Sequence, residues 1–153
     1  CLCYAAKPQI PLAEIFRVLR PDGQLIIFDG FLNTKLEQYP KSLQIATKYT
    51  ETSMAVQNGF GEIHDWTSSA ESIGFHVQSL ENISFAVQPN LARLQKLSLR
   101  LFQMSWRAKL LIYLFPKYLT INAIAGLLMP FTFNPESGSL GYYKLILKRP
   151  KIT

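Results

Sequence analysis

The sequence predicts an α/β domain in which helices cover a largely parallel sheet and a long helical insert precedes the last strand. Three observations carry this. Residues 8–28 read as helix, tight turn and apolar strand; residues 142–148 read as a further strand; and the stretch before that strand breaks into helical periods.

Pro8 and Pro11 fit a helix entry, and Leu12, Ile15, Phe16 and Leu19 recur on one helical face until Pro21 stops it. Pro21-Asp22-Gly23 supplies a fixed φ, a small side chain that bonds its own backbone and a residue free to take positive φ, so the chain reverses there. Leu25 to Phe28 has no polar break, as expected of a strand buried on both faces, and Asp29-Gly30 ends it. Helix, turn and strand in this order make the second half of a βαβ unit. Cys1 to Ala6 reads as the end of the preceding strand, so the chain is expected to begin inside a fold and not with a leader.

Pro40 to Gln57 predicts a helix, followed by a break at Gly59-Phe60-Gly61. Asp65 or Thr67 is placed to cap a short helix through Ile73, with Gly74 closing it in a left-handed conformation. Phe75 to Val87 alternates loosely, as a strand interrupted near Glu81-Asn82. The expected organisation is one domain, with residues 1–88 as its βα core, 89–138 as a helical insert or lid and 139–150 as the final strand. A structureless loop as long as Pro89 to Gly138 is implausible, so the insert must carry helices. From Leu91 to Lys109, Leu94, Leu97, Leu101, Met104 and Ala108 form an apolar stripe beside a basic one of Arg93, Lys96, Arg100 and Arg107.

The chain has 153 residues, with 16 basic against 10 acidic, for a formal net charge of +6. Such a surplus suits nucleic acid, anionic lipid or an acidic ligand without choosing among them. Cys1 and Cys3 make neither a disulfide framework nor a zinc site, which points to a reducing compartment and a cytoplasmic location. Leu110 to Phe133 is the most apolar region, but Lys117, Asn122, Gly126 and two prolines interrupt it, against the about 20 apolar residues of a spanning helix. Nucleic-acid binding is not expected, because the cations are not interleaved with aromatics on a recognisable module. A G-x-S-x-G elbow is lacking, which removes support for hydrolase chemistry.

The run Glu14-Ile15-Phe16-Arg17-Val18-Leu19-Arg20-Pro21-Asp22-Gly23, then Gln24 to Asp29, resembles the third motif of class I S-adenosylmethionine-dependent small-molecule methyltransferases, E-x-x-R-V-L-[KR]-P-G-G before an apolar strand. Asp22 stands where that family usually has its first glycine. His64 to Phe75 resembles the family's helix that ends in Gly-Phe before the sixth strand, and Tyr142 to Pro150 its closing antiparallel strand. The resemblance implies the C-terminal part of a Rossmann-like methyltransferase sheet with a helical insert before the final antiparallel strand. The family's glycine-rich loop and ribose-binding acid have no counterpart among these residues.

By this resemblance the cofactor is S-adenosyl-L-methionine, and Cys1, Leu2, Cys3 and Tyr4 pass its methionine end. Asp29, Gly30 and Phe31 occupy the carboxyl end of the strand, where α/β folds bind ligands, and are the candidate substrate-pocket residues; Asp29 equally suits a strand-ending cap. His64 is the candidate proton acceptor, against a surface or capping role. The implied reaction is methyl transfer to a small hydrophobic acceptor, with the insert as a lid. The alternative is a non-catalytic module attached to a membrane or partner, with peripheral membrane contact through Leu91 to Lys109.

Overall fold

A computed structural model describes residues 2–103, 106, 110, 113, 114 and 117–151. After a 3-10 turn at Leu2–Tyr4, the order is α1 (Gln9–Val18), β1 (Gln24–Leu32), α2 (Lys41–Ser53), α3 (Ile63–Ile73), β2 (His76–Asn82), α4 (Ser84–Gln103), α5 (Lys117–Thr132) and β3 (Leu140–Lys148). Cys1 lies outside the described residues, as do Met104, Arg107, Ala108 and Lys109 at the end of the expected basic helix.

The sheet has the order β1-β3-β2, with β3 antiparallel to both neighbours, so β1 and β2 run parallel to each other. Leu25 to Phe28 and Tyr142 to Lys148 are direct partners: Leu25 lies opposite Leu147 and Phe28 opposite Lys144. Burial of β1 corrects one expectation. Leu25 and Ile27 pack into the core, whereas Ile26 and Phe28 remain 52% and 54% exposed, so this first part of the strand is covered on one face only; further on, Gly30 and Leu32 are buried on the other face as well. Successive strand side chains point to opposite faces, and helices α1 and α3 cover one of them.

That covered face holds the main core of Leu12, Ile27, Phe31, Trp66, Leu145 and Leu147. Trp66, 2% exposed, meets Phe31 edge-on at 5.6 Å between ring centroids. α1 ends where expected, and a residue 130 positions away helps to end it: Arg149 Nη1 donates to the carbonyls of Phe16 and Leu19, and its guanidinium covers the Phe16 ring. A cation there satisfies otherwise unpaired carbonyls and opposes the negative end of the helix dipole.

At the turn into β1, positive φ falls on Asp22 (φ 65) and not on Gly23. Gly23 is needed for space instead, since a Cβ there would lie 2.7 Å from the Arg20 carbonyl oxygen. Where Cys1 to Ala6 is expected to end a strand, the described part of that segment holds the Leu2–Tyr4 turn instead.

α2 is shorter than the expected Pro40 to Gln57, because Ala55 turns to φ 57 after Ser53. α3 begins two residues before Asp65, with no side-chain cap; Gly74 closes it at φ 112 as expected.

The strand expected to reach Val87 stops at Asn82. Asn82 Oδ1 accepts the N–H of Ser84 at 3.0 Å, and Ser84 Oγ accepts the N–H of Tyr142 at 2.9 Å, which turns the chain off the sheet and starts α4. Pro89 therefore sits inside a helix.

The packed face of α4 also differs from the expected apolar stripe. Ser98 is buried against Gly126 of α5, and Gln95 Nε2 donates to the Leu127 carbonyl at 3.0 Å, while Leu97 is 55% exposed. A glycine and a serine let the two helices approach more closely than a leucine seam would allow.

Candidate functional site

The carboxyl end of β1 is where the first turn, the end of α2, both long helices and β3 converge. A smaller core of Cys3, Leu32, Val56, Phe60, Phe133 and Leu140 ties them together. Asp29 accepts two backbone N–H groups there, from Cys3 at 3.1 Å through Oδ2 and from Gly30 at 2.9 Å through Oδ1. Tyr4 Oη donates to the Met54 carbonyl at 2.9 Å. The residues expected to pass a cofactor are thus fastened directly to the strand end expected to line a substrate pocket.

Beside Asp29 opens a cavity of about 370 Å³. Its walls are largely apolar: Met54 from the end of α2, Val87 and Leu91 from α4, Met129 from α5 and the following Phe133. Asp29, Asn90 and Tyr142 supply the polar edge, with Gly30 in the wall. The Asn90 amide and the Tyr142 hydroxyl have no hydrogen-bond partner among the described residues, so both are available to a ligand. A largely apolar cavity with a few convergent polar groups is the usual form of a small-molecule site. Gly30 is fitted to it, since a Cβ there would lie 3.3 Å from Phe133 Cζ. Another depression, of about 390 Å³, runs between Leu36 and α2 and has no residue from the end of β1.

The structure joins Cys3, Tyr4, Asp29 and Gly30 and separates two other candidates from them. Phe31 is fully buried in the main core, where it packs on Trp66; strand alternation puts it on the face of β1 opposite Gly30, and it does not line the cavity. His64 is exposed in the first turn of α3, with Nδ1 3.4 Å from Ser68 Oγ on the same helix, and does not line the cavity either. The Cys3 thiol is pushed up to about 11 by burial first and by the Asp29 carboxylate second, which keeps it protonated and not nucleophilic. Among the described residues no cluster of His, Cys, Asp and Glu is arranged to hold a metal ion.

Met54, Val87, Asn90, Leu91, Met129, Phe133 and Tyr142 are not singled out for the site by sequence reasoning. Tyr142 stands at the start of the expected last strand, and Asn90, Leu91, Met129 and Phe133 lie within the insert expected as a lid; Met54, after α2, and Val87 carry no signal.

No protein-family model matches the chain, and no curated protein matches it. Solved structures do. The cyclopropane synthase MmaA2 from Mycobacterium tuberculosis superposes with a TM-score of 0.63 at 17% identity, over 93% of this chain and 50% of that one. Phosphoethanolamine N-methyltransferase 2 from Haemonchus contortus, in complex with S-adenosyl-L-methionine, gives 0.64 at 14% identity, over 99% and 32%. The [4+2]-cyclase SpnF gives 0.59 at 15%, over 99% and 47%. The fold is that of the Rossmann-like class I methyltransferases, and the chain spans half or less of the length of these structures. The same fold thus carries both methyl transfer and a cyclisation in proteins of that shape.

Proposed function

We propose that the protein of which this chain forms part transfers a methyl group from S-adenosyl-L-methionine to a small, mostly apolar acceptor held in the cavity beside Asp29. One observation carries the reading: a single carboxylate is both a wall of that cavity and the anchor of the Cys3 backbone. The cofactor supplies an electrophilic methyl group; this chain's residues position and exclude water. Leu2 to Tyr4 would border the methionine end of the cofactor, a role that fits a turn pinned at the carboxyl end of a strand, where open α/β sheets bind ligands.

In the acceptor site, Met54, Leu91, Met129 and Phe133 would surround an apolar body, and Asp29, Asn90 and Tyr142 would orient its polar group. Holding the reacting atom in line with the methyl group in a dry site supplies much of what such a transfer needs. A non-catalytic binding module is the competing reading, favoured by the exposed basic row of Arg93, Lys96 and Arg100 on α4. Calorimetry with S-adenosylhomocysteine on the full-length protein separates the two. Saturable one-site binding is the expected result, and no heat at millimolar ligand would remove the catalytic reading.

A further inference from the structure

The positive charge of this chain has a single source. Between Ile83 and Pro135 there are six Lys and Arg and no Asp or Glu, whereas the remaining ten basic and ten acidic residues balance. The whole net charge of +6 therefore lies in the stretch of sequence that includes α4 and α5, both of which wall the cavity. On α4 the inward face is Leu91, Gln95 and Ser98, and the opposite face is Arg93, Lys96 and Arg100, all exposed and spread over two helical turns, about 10 Å. Among the described residues none of these three cations pairs with a carboxylate.

Leu97 and Leu99 flank this basic row on either side, 55% and 43% exposed. Further along the same segment Trp106 and Tyr113 are 65% and 87% exposed. A polyanion such as RNA would engage the cations and gain nothing from exposed leucines. A bilayer engages both, because long basic side chains reach headgroup phosphates while their stems and neighbouring leucines enter the acyl boundary, and Trp and Tyr favour that depth.

From this charge complementarity we infer that the outward face of α4 docks the protein on an anionic lipid bilayer. Docking there does not require the methyltransferase reading, since it uses none of the residues around Asp29. It places the helices that wall the cavity at the lipid surface, so an apolar acceptor dissolved in the membrane would be at hand.

Sedimentation of the full-length protein with vesicles tests it. Binding is expected to phosphatidylcholine vesicles containing phosphatidylglycerol, to weaken with salt, and to be near absent for phosphatidylcholine alone. R93Q/K96Q/R100Q should bind anionic vesicles roughly 100-fold more weakly, each cation near such a surface being worth a factor of about five. L97S/L99S keeps the charge and should also weaken binding, while Trp106 emission shifts to the blue on vesicles only for proteins that bind. These side chains are exposed, so melting temperatures should match wild type. Equal binding to neutral vesicles, full binding by the triple variant, or binding to RNA without binding to vesicles would each overturn the inference.

Discussion

Asp29 and Cys3 are joined by a hydrogen bond of 3.1 Å between carboxylate and backbone N–H, across 26 residues of chain. Asp29→Ala leaves that part-buried N–H and the one of Gly30 without their acceptor. The expected cost is about 1–3 kcal/mol, read from urea unfolding, with Asp29→Asn closer to wild type because its amide oxygen still accepts one bond.

The same carboxylate bears on the Cys3 thiol, whose titration near 11 sits above the ordinary value of 9.0. An acid group with a raised folded-state pKa stabilises the fold below its unfolded pKa and loses that contribution as pH rises through the folded one. Stability is therefore expected to fall between about pH 9 and pH 11, and alkylation of the folded protein by iodoacetamide to stay slow until the upper end of that window. Asp29→Asn removes the neighbouring charge and should bring the alkylation midpoint down, though not to that of a free thiol, because burial remains the larger cause.

The contact of Ser98 with Gly126 leaves no room for a methyl group: a Cβ on Gly126 would lie 2.2 Å from Ser98 Oγ. Gly126→Ala is expected to destabilise by about 1–3 kcal/mol through overpacking. Gly126→Ala/Ser98→Ala removes the clashing oxygen and should recover part of that loss, a coupling that a double-mutant cycle measures.

Filling the cavity beside Asp29 should separate acceptor from cofactor. Met129→Trp in the full-length protein is expected to lower kcat/KM for the acceptor at least about 10-fold, while calorimetry finds S-adenosylhomocysteine affinity within about 2-fold of wild type, because Met129 lines the cavity and not the Leu2–Tyr4 turn.

Asp22 holds φ 65, and its carboxyl is kept below the usual carboxylate range by a hydrogen bond from Lys148, with Lys151 adding to it. Asp22→Gly exchanges those surface ion pairs for a relaxed backbone. Its melting temperature relative to wild type is expected to improve as salt is raised, since screening weakens the pairs and leaves the backbone gain untouched.

Sequence signals are legible where one segment decides its own structure. The helix stopped by Pro21, the strand from Leu25, the left-handed Gly74 and the last strand all stand where their residues place them. Expectation and structure part where distant residues decide. Ser84 belongs to a helix because its side chain is bound to Tyr142, and α4 buries Ser98 instead of Leu97 because Gly126 faces it. For the site, Asp29 and Gly30 are expected to end a strand, whereas β1 runs on to Leu32; Cys3 and Tyr4 are singled out only by resemblance. Phe31 departs from its expected place because β1 continues through it, so that it joins Ile27 in the core while Gly30 faces the cavity. The walls from α4 and α5 depend on how those two helices pack, which no local pattern encodes.

Of the three described strands, the one in the middle comes last in the sequence. β1 and β2 pair with β3 and not with each other, so neither has its described partner until residues 140–148 exist. During synthesis, translation must therefore pass Lys148 and that segment must leave the ribosome before these three strands can close. Throughout that interval Leu25 and Ile27, on the core side of β1, lack the strand that packs beside them, and exposed apolar strands of that kind promote association.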